Sequence, residues 1–357
     1  MKEYLNLYTS NTLAGSSNQL YFNSDNEIQK SRAFYKIFAG GKYEYSLLFS
    51  NIIDSTYADG SISVANEKCD DWKMRAKILL IDGKETDLSN PKIDKEYILT
   101  FDNMSEKTVI SGEIFYSDST VIDAKKNDYF CVEIEFKGTK IPYFEEIIVP
   151  TFREYNGAWI PDKKVPIPIM IGAKRKVEKR IGFLGDSITQ GIGTPMNKYA
   201  HWNAKIAENI GEKYSYWNLG IGFGRANDAA SDGIWLEKAK NLDVVTICFG
   251  VNDLGRGYSV AEIENNLLKI IKNLQKNNVK TILFTIPPFD YNEEIKNKWS
   301  KINCYILDEL SKITDVYDVA KIWGNESPNN HIAKYGGHPD ENGCLIMARD
   351  FLRKFNL

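Results

Sequence analysis

The stretch RIGFLGDSITQG, residues Arg180 to Gly191, decides how the second half of this 357-residue chain is read. Ile181 to Leu184 make a short apolar run that stops at Gly185 and Asp186, and Ser187 opens whatever comes next. On position alone such a serine caps a helix, its hydroxyl accepting a backbone N–H of the first turn. The carboxyl end of a parallel strand is also where open α/β sheets assemble ligand sites. The surrounding chain decides between the two.

Downstream, strand-like and helix-like segments alternate. A helix through HWNAKIAENIGEKY precedes the strand YSYWNLG, and a single helix through AASDGIWLEKAKN precedes DVVTICFG. VAEIENNLLKIIKNLQKN carries Ile263, Leu267, Ile270, Ile271 and Leu274 at helical spacing. VKTILFTIPP, the helix EEIKNKWSKINCYILDELSK, the strand TDVYDVA and a last helix complete the series. Near-continuous apolar strands are expected where helices cover both faces of a sheet. The pattern predicts a three-layer α/β domain over residues 176–357, with a five-stranded parallel sheet.

Upstream the grammar is different. In DYFCVEIEFKG, Val132, Ile134 and Phe136 alternate with Glu133 and Glu135, the period of a half-buried strand. EYSLLFSN (44–51), MRAKILLIDG (74–83), EYILTFD (96–102) and TVISGEIFYS (108–117) read alike. Short strands separated by Asn, Asp, Gly and Ser predict an all-β sandwich of jelly-roll type over residues 1–175. The Pro-rich, basic stretch 155–180 is expected to be the linker.

Composition narrows the function. Net charge is −3 with no basic block, which argues against nucleic acid as a partner. No apolar run approaches the roughly 20 residues of a membrane span, so no membrane partner is expected. Five scattered cysteines, Cys69, Cys131, Cys248, Cys304 and Cys344, and a start without an apolar leader predict a cytoplasmic protein with reduced thiols. The three histidines are not at ligand spacing, so neither a catalytic metal nor another cofactor is expected.

Three elements reinforce Ser187, each at a strand end. NLGIGFGRAND follows the second strand with Gly220, Gly222 and Gly224 in alternation, a backbone able to approach a ligand and present N–H groups. FGVND follows the third and offers the side-chain amide of Asn252. GGHPDENG places His338 in a loop before the final helix. A hydroxyl nucleophile, an imidazole base and two kinds of oxyanion donor are what acyl transfer needs.

GDSITQG, the N-x-G glycine loop, GVND and the late GGHP together resemble the SGNH (GDSL-type) hydrolase superfamily, over about residues 178–357. The resemblance implies a flavodoxin-like sheet, Ser187 as nucleophile and His338 as base. It implies Asn252 and a glycine-loop N–H, that of Gly222, Phe223 or Gly224, as the oxyanion hole. Such families usually carry an aspartate three residues before the histidine; here that position is Tyr335. Some two-domain carbohydrate esterases of similar plan use a Ser–His dyad. Asp318, Glu326 and Asp340 are the other candidates, and the third group stays unassigned.

Other residues carry weaker signals. His201 reads as packing in the first helix turn rather than touching substrate. Arg225 either binds an acidic substrate group or pairs with Asp228 or Asp232. The acidic loops 54–61 and 66–72 read as solvated rather than calcium-binding, and Trp202, Trp217, Trp235 and Trp323 as mostly core rather than sugar platforms. The functional expectation is an ester hydrolase acting on a small-molecule or oligosaccharide ester, most of all a carbohydrate acetylesterase. The alternatives are a lipase or thioesterase, and a sugar-binding protein with a degenerate esterase domain.

Overall fold

A computed structural model describes residues 1–13, 17–54, 64–144, 148–324 and 337–355, together with the backbone of 333–334. The chain forms two compact units, the first of residues 1–178 and 211–217, the second of 179–210 and 218–357.

The first unit is built from antiparallel strands. Tyr129–Gly138 lies between Gln29–Ile37 and Trp72–Ile81 in one sheet, and Gly41–Ser50 pairs with Thr120–Ala124, Ile114–Tyr116 and Met170–Ala173 in another. The alternation in Tyr129–Gly138 places Val132, Ile134 and Phe136 in the core, each 1% exposed. Tyr45 of one sheet meets Phe130 of the other edge-on at 4.9 Å, so the sheets share a core.

The stretch 155–180 is not a linker. Thr151–Tyr155 and Ala158–Pro161 form a hairpin, and Met170–Ala173 is a buried strand of the first unit. Asn156 and Gly157, at φ 50° and 81°, make the turn that an Asn-Gly pair favours between strands. Pro and Lys content hid the apolar MIGA run.

The five-stranded sheet is made of β1 (Lys179–Gly185), β2 (Tyr214–Gly220, of which 214–217 fall in the first unit), β3 (Val244–Cys248), β4 (Lys280–Phe284) and β5 (Asp315–Tyr317). Their order is β2-β1-β3-β4-β5, and β1, β3, β4 and β5 are parallel. All five residues of β3 are buried, as its unbroken apolar sequence requires. The helices are α1 (Ser187–Gln190), α2 (Trp202–Ile210), α3 (Ala226–Ala230), α4 (Ile234–Ala239), α5 (Val251–Gly255), α6 (Val260–Gln275), α7 (Glu293–Asp308), α8 (Val319–Trp323) and α9 (Glu341–Phe355). The single helix expected through AASDGIWLEKAKN is broken into α3 and α4, because Asp232 takes a left-handed φ of 61° and Gly233 is extended. This strand order reverses direction between β1 and β3, and ligands of such sheets bind at the carboxyl ends there.

Candidate active site

Ser187 stands at that reversal. Asp186 N-caps α1, its Oδ1 accepting the Ile188 N–H at 3.0 Å, and donates its own N–H to Cys248 O at the end of β3. One turn later Gly191, at φ 113°, returns its N–H to Ser187 O. The capping role expected of a serine is thus taken by Asp186, and the half-buried Ser187 hydroxyl meets an imidazole instead. Ser187 Oγ lies 2.7 Å from His338 Nε2.

His338 reaches the serine from 151 residues away because a two-residue strand, His338–Pro339, pairs with Ala333–Lys334. Gly193, at φ 96°, lets the chain after α1 pass close by; a Cβ there would sit 2.7 Å from Pro339 O. The Phe289 ring lies edge-on to the imidazole at 5.6 Å.

The glycine loop is held against both strand ends. Gly220 N–H donates to Asn218 Oδ1 at 2.9 Å, and Ile221 N–H to Gly185 O at 3.0 Å. A Cβ on Gly220 would overlap the backbone of Thr189 and Gln190 in α1. Residues 221–224 form a turn closed by Gly224 N–H on Ile221 O at 3.0 Å. Phe223 has φ 61° and Gly222 is not left-handed, which is the type II pattern with a bulky residue where glycine is normal. Gly224, one of the expected oxyanion donors, spends its N–H inside the turn. The central peptide of a type II turn lies across the turn, so the Phe223 N–H stands outside that bond.

Asn252 follows β3 at the start of α5. Its Nδ2 donates to Gly224 O at 2.9 Å, which uses one of two amide hydrogens and leaves the other for a ligand. Beside it, Asp253 Oδ2 accepts the Ala226 N–H at 3.1 Å. Sequence reasoning passed over Asp186 and Asp253, although both lie inside the quoted motifs. Each is buried, and burial raises Asp186 to about 7 and Asp253 to about 6. Asp186 Oδ2 and Asp253 Oδ1 have no hydrogen-bond partner among the described residues.

Of the acid candidates, Asp318 accepts from Thr285 Oγ1 and the Lys321 N–H, capping α8, and Asp340 accepts the Gly343 N–H at the start of α9. Glu326 and Tyr335 lie outside the described residues. Arg225 pairs with Asp228, Nη2 to Oδ1 at 2.5 Å, and donates to Tyr258 Oη; Asp232 pairs with Lys240 instead. His201 is fully buried ahead of α2, and burial together with Lys205 lowers it to about 3, which keeps the ring neutral. The four tryptophans are core side chains; the indole N–H groups of Trp202, Trp217 and Trp235 donate to Ile188, Ile169 and Leu219 carbonyls.

In the loop 66–72, Asp70 and Asp71 accept from Thr139 and Ser111. Of 54–61, only Asp54 is described. Among the described residues, no cluster of three or more His, Cys, Asp or Glu could hold a metal, and no helix is long and apolar enough to cross a membrane.

This arrangement defines a serine–imidazole pair beside two converging loops. Residues 183–344 match the family model of the GDSL-like lipase/acylhydrolase family. The chain is 24% identical over 217 residues to an uncharacterized protein of Mycoplasma pneumoniae, spanning 57% of this chain and only 24% of that protein's length. It is also similar to a solved G-D-S-L family lipolytic protein of Veillonella parvula, at 18% identity and a TM-score of 0.44 over 50% of this chain and 98% of that one. An acetyl xylan esterase of Geobacillus stearothermophilus is similar at 18% identity and a TM-score of 0.41, over 51% of this chain and 96% of that one.

Proposed function

We propose that the protein is a serine esterase that removes small acyl groups, acetyl above all, from a carbohydrate. The observation that carries this reading is the 2.7 Å approach of Ser187 Oγ to His338 Nε2. As Oγ attacks the ester carbonyl carbon, Nε2 takes the serine proton and the carbonyl electron pair moves onto oxygen. The Asn252 amide and the Phe223 N–H stabilise that oxyanion, with the Ser187 N–H, which the first turn of α1 leaves without an intrahelical partner. Collapse breaks the bond to the alkoxy oxygen, which leaves with the proton from Nε2. Water then repeats the sequence on the acyl-serine, releasing the acid and returning the proton to Oγ.

Short connections support a small acyl group. Only Asp186 separates β1 from α1, and only Phe249 and Gly250 separate β3 from α5. No apolar insertion at those two strand ends is available to wrap a long chain. We read the two antiparallel sheets of the first unit as a sandwich, in the plan of a two-domain carbohydrate esterase. A cytoplasmic setting belongs to the same proposal, supported by five free cysteines.

The test is a series of 4-nitrophenyl esters together with acetate release from acetylated oligosaccharides. The expected order in kcat/KM is acetyl above butyryl above octanoyl, with activity unaffected by EDTA. A lipase would instead gain with each methylene it buries, up to about 0.8 kcal/mol apiece. A rise toward octanoyl overturns the carbohydrate reading, and no hydrolysis of any ester overturns the esterase.

A further inference from the structure

We propose that Asp253 is a positioning residue of the oxyanion hole, clamping the turn 221–224 through the Ala226 N–H. This rests on the esterase reading above. Asn252 and Asp253 are consecutive, and they grip the same segment with opposite polarity. The Asn252 Nδ2 donates to Gly224 O at 2.9 Å, and Asp253 Oδ2 accepts from Ala226 N–H at 3.1 Å. Two bonds from adjacent side chains, landing two residues apart, fix both the position and the tilt of the backbone between them.

The turn needs such a restraint. Phe223 at φ 61° is held in a region that is unfavourable for a non-glycine residue and persists only where surrounding contacts over-determine it. Upstream, the Gly220 and Ile221 N–H groups are tied to Asn218 and Gly185. Downstream, the grip comes from Asn252 and Asp253. Asn252 contributes one bond, to Gly224 O, and Asp253 the second, to the Ala226 N–H. If Gly224 drifts, the Asn252 amide and the Phe223 N–H lose their common focus.

Asp253 is 0% exposed, and nothing on α5 requires a carboxyl there for solubility. The cost of burying it is consistent with a task for that side chain. Its role is distinct from that of Asp228, which accepts from the Arg225 N–H and side chain at the start of α3.

The experiment uses the full chain and three variants. Asp253→Ala removes the acceptor. Asp253→Asn keeps one. Ala226→Pro removes the donor while leaving Asp253 intact, at a first helical position where proline is tolerated and after an extended Arg225. Rates on 4-nitrophenyl acetate are measured alongside amide hydrogen exchange of peptides covering 221–226.

Asp253→Ala and Ala226→Pro should each lower kcat about 10–100-fold with little change in KM, since they misplace donors used mainly in the transition state. Both should speed exchange in the loop about tenfold or more, a local opening rather than global unfolding. Asp253→Asn should recover most of kcat and the slow exchange. An active wild type whose kcat survives both deletions overturns the clamp. So does loop exchange unchanged in Asp253→Ala or, if that variant does not fold, in Ala226→Pro. A wild type inert on every ester overturns the esterase reading instead, and the exchange arm then still decides the clamp.

Discussion

In the first unit Glu133 lies between Arg32 and Lys77, at 2.8 and 3.1 Å, and Lys77 also reaches Glu96 at 3.2 Å. Burial alone would pull Lys77 down, but its two glutamate partners more than offset this and the ammonium is raised. In the second unit Asp186 and Asp253 have no cation in hydrogen-bond contact among the described residues, and burial pushes both carboxyls up. Charges on the sheet face are placed where partners and solvent stabilise them. Among the described residues, those behind Ser187 and Asn252 are placed where their hydrogen-bond partners are backbone N–H groups. The contrast teaches where burial of a carboxyl is tolerated: at the strand ends, where Asp186 caps the turn that carries Ser187 and Asp253 accepts from the backbone after the glycine loop.

The largest expected effect is at the serine. Ser187→Ala should reduce ester hydrolysis by about 10⁴-fold or more while the far-ultraviolet spectrum and melting temperature stay close to wild type. His338→Ala should come near it, and the double variant should be little worse than either, because the two act on one proton. Additive losses would break the pairing read from the 2.7 Å contact.

Asn252→Ala should cost about 10²–10³ in kcat with a smaller effect on KM, the usual consequence of losing one oxyanion donor. A change confined to KM would mean that Asn252 binds substrate rather than the transition state.

Asp186 gives a prediction in stability rather than rate. Its folded value, about 7, lies above the ordinary value of 3.8, so between these the folded state holds a proton that the unfolded state has released. Stability from this group therefore falls as pH rises from about 4 to about 7, and is fully penalised above. Asp186→Asn retains the capping oxygen and removes the titration. Its melting temperature relative to wild type should improve steadily from pH 5 to pH 8. A difference independent of pH would show that the carboxyl is not held protonated by burial.

The smallest effect belongs to the exposed pair. A double-mutant cycle on Lys77 and Glu96 should return a coupling of about 0.2–1 kcal/mol, reduced by salt, as for other solvent-accessible ion pairs. A coupling as large as the penalty at Asp186 would erase the contrast between the two regions.

Much of this was legible in the chain itself. The alternation around Val132, the apolar runs of β1 and β3, and the helical spacing of Ile263 to Leu274 are local patterns set by which face of an element meets water. They needed no partner to be read. Ser187 and His338 were singled out from separate motifs, and the structure brings their side chains together.

Tertiary structure alone decided the rest. It put His338 on Ser187 across 151 residues, gave the cap of α1 to Asp186, and spent the Gly224 N–H inside a turn. It sent Arg225 to Asp228 and folded the apparent linker into the first unit. Each of these is a hydrogen bond or strand pairing whose partner is chosen by packing among several chemically equivalent groups. Periodicity reports the face a residue presents, but it carries no information about which donor or acceptor will be waiting there.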